Sequence, residues 1–170
     1  FSLLVEKMDD NYIYFELKNR KLKINKEDSE DIWIWRDKFK KKKYWGTLAL
    51  NSDKVGYYVC SINAKKFKHH RVVYFAHNQN WDILDSSQLN MIDHIDQTKN
   101  NNHISNLRVA TKQQNNWNMK NVKGYYWNKS CKRFQAFIHL NHKCIYLGLY
   151  QKEEDARNAY LEAKKIYHKW

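Results

Sequence analysis

Four residues in the middle of the sequence combine the side chains that phosphodiester hydrolysis needs. Asp93 and His94 are adjacent, and Asn106 and Asn115 follow them across a polar stretch. Cleaving a phosphodiester requires a nucleophilic water, neutralisation of charge at the phosphate and stabilisation of the leaving oxygen. The oxygens of Asp93 and Asn115 are hard ligands suited to Mg²⁺, or to another divalent cation such as Mn²⁺. Histidine can take a proton from water at neutral pH, so the His94 imidazole is the natural general base.

The local sequence predicts a strand, a loop, a second strand and a helix to hold these side chains. Residues 91–95 and 107–110 have the short apolar patterns of strands, and the polar residues 97–106 connect them. Thr111 and Gln114 fit a capping box, in which the threonine hydroxyl accepts from a free backbone amide and the glutamine reaches back. This order of elements is that of a ββα unit.

Upstream of this unit, the spacing of apolar residues predicts short elements. They are a hairpin of strands 12–17 and 21–25 around Lys18–Arg20, a strand at 55–62 with a turn at Asn63–Lys66, a helix at His70–His77 and a polar connector at Asn78–Asn90. Pro is absent and only four Gly occur, so Asn, Asp and Ser are expected to make the turns. The Asn100–Asn102 run is therefore interpreted mainly as turn architecture.

The last third of the chain is predicted to form a sheet covered by one helix. Its strands are expected at 124–129, 133–140 and 143–149, and the second of them alternates Ala136, Ile138 and Leu140 with Arg133, Gln135, Phe137 and His139. The helix, Glu153–Trp170, carries at helical spacing Ala156, Ala159, Ala163 and Ile166. Such side chains let a helix lie close on the apolar face, so the other sheet face is expected to stay uncovered.

The composition predicts a folded protein with a polyanionic partner. The chain has 170 residues, 31 Lys and Arg against 18 Asp and Glu, and a formal net charge of +13. With 42% hydrophobic and 15% aromatic residues it is not a disordered basic tail. No apolar run is long enough for a membrane span and the start does not resemble a signal peptide, which predicts an intracellular location, cytoplasmic, nucleoid or nuclear. Three cysteines without a CxxC pair indicate neither a disulfide framework nor a four-cysteine zinc site.

The largest share of the net charge lies at the end of the chain. Residues 121–170 carry 10 basic and 4 acidic side chains, whereas residues 91–120 carry 4 and 2. The low charge of the second segment is expected if a bound metal ion supplies positive charge there. The lysine-rich run Lys38–Lys43 fits either a solvated face or a phosphate-contacting patch.

The stretches HHRVV and IDHIDQTKNNNHISNLRVATKQQNNWN resemble the HNH (ββα-metal) nucleases, especially the phage-type intron-encoded homing endonucleases, over residues 46–118. In that family an Asp-His pair, an Asn-rich loop, Asn-Leu-Arg and a helix with the last metal ligand follow in order, here Asp93, His94, Asn106, Leu107, Arg108 and Asn115. The resemblance implies metal ligation by Asp93 and Asn115 and general-base action by His94. It also implies that Asn106 organises the loop beneath the catalytic histidine, and that the products carry 5′-phosphate and 3′-hydroxyl ends.

Several residues near the motif keep more than one interpretation. The last ligand of the motif is Asn115 instead of histidine, a variant found in the family, and it is favoured over Asn116, while Asn118 is a further neighbour. Consecutive helical residues point ~100° apart, so only one of the first two faces the site. Core or phosphate contact is favoured over metal binding for His69 and His70, and solvent exposure over approach to the scissile phosphate for His103. Arg108 is expected either to contact phosphate or to brace the loop.

The tail, from KGYYWNKSCKRFQAFIHL to DARNAYLEA, resembles the Apetala-type (ethylene-response-factor) DNA-binding domain over residues 123–163. That family lays its three-stranded sheet in the major groove and reads bases from the face opposite the helix. The resemblance implies that this face presents Tyr126, Asn128, Arg133, Gln135, Phe137, His139 and Tyr146, with phosphate contacts from Lys123, Lys129, Lys132 and Lys143. Several Arg and Trp positions of the plant domains are occupied by other residues here, so base preference does not carry over.

Together these features predict an α+β protein: a ββα-metal HNH nuclease core preceded by β-hairpins, and a C-terminal three-stranded antiparallel sheet packed on one helix. The expected division is 1–45, a basic β-rich extension, 46–120, the nuclease core, and 121–170, the DNA-binding domain. The predicted activity is metal-dependent, sequence-directed cleavage of double-stranded DNA, by a homing-type monomer favoured over a homodimer, with no membrane or protein partner. The alternatives are an HNH restriction endonuclease, a catalytically silent DNA-binding regulator and a structural or RNA-binding protein.

Overall fold

The computed structural model describes residues 8–38 and 42–169 and shows an α+β protein. Contacts divide the chain into two compact units, Phe1–Val109 and Ala110–Trp170. The predicted division at 45/46 and 120/121 stays a prediction, and its first boundary falls within a strand, Lys42–Thr47. None of the helices in the described part of the chain is both long enough and apolar enough to cross a membrane.

Among its described residues, the first unit contains one four-stranded, one three-stranded and one two-stranded sheet. Its strands are β1 (Tyr12–Leu17), β2 (Arg20–Asn25), β3 (Ile32–Lys38), β4 (Lys42–Thr47), β5 (Asn51–Ser52), β6 (Tyr58–Ile62), β7 (Lys65–Lys68), β8 (Met91–His94) and β9 (Leu107–Ala110), the last of which ends at the unit boundary. Its helices are α1 (His69–His77) and a 3-10 turn (Ile104–Asn106).

The four-stranded sheet runs in the order β1-β2-β3-β4 with antiparallel neighbours. The predicted hairpin is confirmed, with Lys18 and Asn19 at φ of 52° and 57° in its turn. Two successive residues with positive φ match the twist of the flanking strands, and asparagine tolerates that conformation well. Strands β3 and β4 were not individually predicted, and residues 39–41 of the lysine-rich run Lys38–Lys43 lie outside the described residues.

The helix α1 contacts strands β1, β6, β7 and β8 and so connects the sheets of the first unit. It begins at His69, one residue earlier than predicted. The predicted turn Asn63–Lys66 is too long, because Asn63 and Ala64 alone make it and β7 begins at Lys65. The preceding strand begins at Tyr58 instead of residue 55.

One hydrophobic core serves the whole first unit. Buried Leu22 and Ile34 of the four-stranded sheet belong to the same cluster as Ile62 of β6, Val72 of α1 and Ile92 of β8. Burial of contiguous apolar surface is the main stabilising term in folding. Residues of the predicted N-terminal extension therefore help to hold the strand that carries Asp93 and His94.

The second unit consists of α2 (Lys112–Trp117), β10 (Tyr125–Asn128), β11 (Arg133–Leu140), β12 (Lys143–Tyr150) and α3 (Glu153–Tyr167). The three predicted strands are confirmed as an antiparallel sheet of order β10-β11-β12, and α3 contacts all of them.

The packing of α3 differs from the prediction at its C-terminal end. Ala156 and Ala163 are buried as expected, but Ile166 is 61% exposed, and Tyr160 provides the large buried side chain. The predicted helix end at Trp170 is also wrong, since α3 ends at Tyr167. Two small residues with a ring between them let the helix lie close to Ile138 of the sheet.

Candidate active site

The strand β8 carries the Asp-His pair at its end. Consecutive residues of a strand point to opposite faces, so Asp93 and His94 leave the backbone in different directions. Both are buried, with 4% and 5% of their surfaces exposed. Buried polar groups are retained only when they are hydrogen-bonded or paired, so each side chain requires specific partners.

Arg108 of β9 is the partner of Asp93. Its Nε and one terminal nitrogen both donate to Oδ2 of Asp93, at 3.0 and 2.9 Å. The aspartate side chain is 5% exposed and the arginine 26%. Of the two roles left open for Arg108, this contact supports bracing, because the guanidinium joins the two strands and balances the buried carboxylate.

Replacing Arg108 by leucine is expected to destabilise the first unit by about 2–4 kcal/mol, because Asp93 would stay buried without its counter-charge. The measurement is urea unfolding followed by tryptophan fluorescence. The matched control is Lys165→Ala, which removes an exposed ion pair with Glu162 and should cost less than about 1 kcal/mol. Adding Asp93→Asn to Arg108→Leu should recover part of the loss. Equal stability of Arg108→Leu and the wild type would contradict this account.

His94 is held by a buried amide, Asn102. Its Nε2 lies 2.8 Å from Oδ1 of Asn102, and Nδ2 of the same amide donates to Nδ1 of His69 at 3.1 Å. An amide oxygen only accepts, so Nε2 of His94 carries the hydrogen, and in the neutral ring the lone pair is then on Nδ1. Hydrogen bonds thus connect His69 of α1, Asn102 of the loop and His94 of β8 in one line.

Two imidazoles of α1, His69 at the end of this line and His70 beside His94, stay neutral at physiological pH. Burial lowers the pKa of His69 to about 4. Burial, together with the positive potential of His94 and Lys68, lowers the pKa of His70 well below its ordinary value. The ring of His70 meets that of His94 edge-on at 4.9 Å between centroids. Both residues of the predicted His69-His70 pair are thus buried in the first unit.

Asn106 connects the two ends of the loop between β8 and β9. Its side-chain oxygen accepts from the backbone amide of Asp96 at 2.9 Å, and its Nδ2 donates to Oδ1 of Asp96 and to the carbonyl of Asn101, at 2.9 and 2.8 Å. Its backbone carbonyl accepts from Ile95. These bonds fix the loop directly after His94. Nearby, His103 caps the 3-10 turn by accepting from the amide of Ser105.

The loop should lose stability in acid. Partial burial raises the pKa of Asp96, but hydrogen bonds from Asn101, Thr98 and Asn106 outweigh this and lower the pKa to about 2. The ionised carboxylate therefore stabilises the fold fully above its unfolded pKa of ~3.9, and this contribution disappears as the pH falls towards 2. Urea unfolding at pH values between these limits is expected to show a free energy of unfolding that decreases as the pH falls. The Asp96→Asn replacement should reduce this dependence on pH. An unchanged slope in that variant would contradict the assignment.

The helix α2, in the second unit, carries the third part of the predicted constellation. The capping box is confirmed, because Thr111 accepts from the amide of Gln114 at 3.2 Å and the Gln114 side chain accepts from the amide of Thr111 at 2.9 Å. Asn115 is half-buried and lies one turn into the helix, whereas Asn116 is exposed. Asn118 forms the C-cap. The choice between Asn115 and Asn116 as the metal ligand stays a prediction.

The donors at the predicted metal site fit a hard divalent cation in their chemistry. Asp93 offers a carboxylate and Asn115 an amide oxygen, the donor types that Mg²⁺ prefers, and the ion fills its other positions with water and phosphate oxygens. Within the described residues no group of three or more His, Cys, Asp or Glu side chains could hold a metal ion. Asp93 lies in the first unit and Asn115 in the second, so joint ligation of a cation by the two residues stays a prediction.

The second unit presents the predicted DNA-contacting residues on one face of its sheet. In the antiparallel register Tyr126 is opposite Gln135, Phe137 opposite Tyr146, and Asn128 opposite Arg133. Residues on this face alternate with the buried Ala136 and Ile138, which α3 covers from the other side. The face therefore includes all the predicted strand residues, namely Tyr126, Asn128, Arg133, Gln135, Phe137, His139 and Tyr146. The flanking Lys123 and Lys129 are exposed just before and after β10.

Two of these side chains are engaged with each other. Nδ2 of Asn128 donates to Oε1 of Gln135 at 3.0 Å, and Oδ1 of Asn128 accepts from the amides of Ser130 and Cys131 at 3.0 and 3.4 Å. Asn128 therefore shapes the turn after β10. The aromatic members are more accessible, since Tyr126 is 47% and Tyr146 57% exposed.

Sequence reasoning missed the partner of His94. Asn102 was included in an asparagine run interpreted as turn architecture, and its neighbours Asn100 and Asn101 are indeed exposed. Asn102, in contrast, is 2% exposed. The three amides look alike in sequence, and only the register of the loop against α1 distinguishes the one that turns inward. No local signal in the sequence identifies it.

Comparison with known proteins found no matching family model, curated protein or solved structure.

Proposed function

We propose that the protein is a metal-dependent, sequence-directed DNA endonuclease of the homing type. The observation that carries the proposal is the pair at the end of β8, where Asp93 is ion-paired to Arg108 and His94 is hydrogen-bonded to Asn102. A buried carboxylate beside a buried, oriented imidazole is costly for a fold to keep, and such groups are concentrated at functional sites. The net charge of +13 supports a polyanionic substrate.

The proposed chemistry is hydrolysis of a DNA phosphodiester. His94 accepts a proton from water, and the resulting nucleophile attacks phosphorus in line with the bond to the 3′-oxygen. That bond breaks, the 3′-oxygen takes up a proton, and the new bond to the water oxygen leaves a 5′-phosphate. Asp93 and Asn115 would hold the divalent cation, which when bound supplies positive charge at the phosphate and the leaving oxygen.

The outer face of the β10-β11-β12 sheet is proposed to hold the enzyme on duplex DNA. A sheet face with exposed rings and flanking lysines matches a groove, because lysines meet phosphates while rings and amides meet base edges. Residues 121–170 also have the largest excess of basic over acidic side chains, 10 against 4. A separate DNA-holding module suits a long, asymmetric site better than a short palindrome cut by a dimer.

Truncating one aromatic ring on this face is expected to weaken DNA binding. Truncating the neighbouring ring on the other face of the sheet is expected to have little effect on binding. Tyr126 and Trp127 are adjacent and are both 47% exposed. The side chain of Trp127 lies on the opposite face of the sheet, where its ring contacts that of Phe134 on the neighbouring strand. Tyr126→Ala should lower DNA affinity by about 5- to 10-fold, as expected for an interface aromatic. Trp127→Ala is the matched control. Fluorescence anisotropy at fixed salt makes the comparison, and equal losses would contradict a specific role for this face.

The test of the activity uses a pool of supercoiled plasmids with random inserts, incubated with the protein and Mg²⁺. Sequencing the cut ends is expected to return one extended, asymmetric recognition site. A plasmid from that pool then provides the substrate for comparing the wild type with His94→Ala. Equal cutting by the two proteins, or no cutting of a pool that the protein binds, would overturn the proposal.

A further inference from the structure

We propose that Asn102 is a positioning residue for His94, which acts by fixing the ring nitrogen that carries the proton. The inference deepens the proposed endonuclease function and rests on it for the catalytic consequence. It concerns the loop between β8 and β9, where three asparagines follow one another.

The burial of Asn102 separates it from the other two loop amides. It is 2% exposed, whereas Asn100 and Asn101 are on the surface. Asn101 donates to Oδ2 of Asp96 at 2.7 Å and so belongs to the bonding within the loop. Asn102 instead uses both ends of its amide on imidazoles, at 2.8 Å to His94 and 3.1 Å to His69. A buried amide is kept only with such partners, because its desolvation is otherwise uncompensated.

The direction of the amide determines the tautomer of the base. With Oδ1 towards His94, Nε2 of the ring must donate, and the lone pair is on Nδ1. If the amide were reversed, Nδ2 would face His94 and the lone pair would move to Nε2. A general base works only when the atom with the lone pair faces the reacting water, so the amide direction selects the reactive nitrogen.

The direction of the amide is linked to the tautomer of His69. Its Nδ1 accepts from Nδ2 of Asn102, so the oxygen end is left for His94. His69 is fully buried at the start of α1, and it has no room to exchange partners with solvent. A histidine of α1 and a histidine of β8 thus share one amide, which links their tautomers. Selection of the wrong tautomer costs about 10⁴-fold in rate in serine proteases, which shows how large such an effect can be.

Two replacements separate the proposed role from simple packing. Asn102→Leu keeps the volume but removes the acceptor, whereas Asn102→Asp keeps an acceptor oxygen towards His94. The control is Asn100→Ala, in the same loop, where the exposed side chain makes no hydrogen bond to any other described residue. Rates are measured at saturating DNA on the plasmid recovered from the pool, and apparent KM is measured in parallel.

We expect Asn102→Leu to lower kcat by about 10²-fold with KM within about two-fold, because the base is misdirected while DNA contacts remain. Asn102→Asp should retain kcat within about ten-fold of the wild type, and Asn100→Ala should match it. A role in packing alone predicts the reverse order, with leucine tolerated and the buried charge of aspartate harmful. Wild-type kcat in Asn102→Leu would overturn the proposal.

Nitrogen-15 NMR of the histidine-labelled chain provides a readout that is independent of cleavage. Near pH 8.5, above the ordinary histidine pKa of ~6.5, the His94 ring of the wild type should be the Nε2–H tautomer, identified by its loss in His94→Gln. The Nδ1–H tautomer in the wild type would overturn the proposal even if a variant failed to fold. If the wild type cuts no DNA but shows the Nε2–H tautomer, the endonuclease function fails and the Asn102–His94 relation stands. If it cuts and Asn102→Leu cuts equally, the positioning role fails and the function stands.

Discussion

Replacing His94 by alanine is expected to lower the first-order rate of DNA cleavage by about 10²–10⁴-fold, the usual contribution of a general base. DNA affinity should change only a few-fold, because phosphate contacts dominate binding to DNA and His94 is 5% exposed. The measurement is single-turnover cleavage of a plasmid that carries the recovered site, with affinity determined on the same DNA.

The matched control for this experiment is His77→Ala. His77 is half-buried in the last turn of α1, and among the described residues its Nδ1 bonds to the carbonyl of Val73 in its own helix, at 3.0 Å. The control should cleave at the wild-type rate. Imidazole added to the buffer should restore part of the activity of His94→Ala but not accelerate the control. A rate within about ten-fold of the wild type in His94→Ala would exclude His94 as the general base.

The second large effect is expected at Gly124, which directly precedes β10. Its φ is +77°, and a Cβ added there would lie 2.0 Å from Cγ of the Tyr160 ring. An alanine would combine the strain of a left-handed conformation, about 1–2 kcal/mol, with overpacking of about 1–3 kcal/mol. Small units have only a few kcal/mol of stability, so Gly124→Ala should unfold the second unit and with it abolish the DNA binding proposed for that unit.

Gly56→Ala isolates the contribution of the ring. Gly56 also has a positive φ, +90°, but nothing lies within 4 Å of an added Cβ. The Gly56→Ala replacement should lower the free energy of unfolding by only about 1–2 kcal/mol, the cost of the backbone conformation alone. Urea unfolding and amide exchange of the β10-β11-β12 sheet compare the two variants. If Gly124→Ala cost no more than Gly56→Ala, the close packing of Tyr160 on the backbone would be wrong.

Elements with strong local signals were predictable from the sequence. The Thr111–Gln114 capping box depends only on residues three apart, and both of its hydrogen bonds are present. The hairpin of β1 and β2 was predictable for the same reason, since alternation and a short polar turn suffice to specify it. The expectation that asparagine makes turns is confirmed at Asn63 and Asn141, both with positive φ.

Features that depend on packing between elements were not predictable to the same degree. Helical spacing predicted an apolar stripe on α3 that ended at Ile166, but the sheet beneath it accommodates Tyr160 and leaves Ile166 exposed. A stripe of apolar residues indicates which side chains can be buried, and the surface against which the helix packs determines which of them are buried.

The candidate site likewise contains residues that the sequence predicts and contacts that only the structure shows. Sequence spacing predicts Asp93, His94, Asn106 and Asn115 as the chemistry-bearing residues, and the structure shows specific hydrogen bonds for the first three of them. The spacing was not sufficient to assign Arg108 to the carboxylate or Asn102 to the imidazole, because those contacts join separate elements across long stretches of chain. An arginine in a strand and an asparagine in a loop have several common uses, and only the tertiary contacts distinguish between them.

Hydrolysis of DNA with a divalent cation is tested most directly by strand scission of the supercoiled plasmid pool with Mg²⁺ and with EDTA. Nicked or linear products are expected with Mg²⁺, bearing 5′-phosphate and 3′-hydroxyl ends that a ligase rejoins, and no scission is expected when EDTA removes the cation. Scission that EDTA does not affect, ends that carry a 3′-phosphate, or intact plasmid under conditions where the protein binds it would contradict the account.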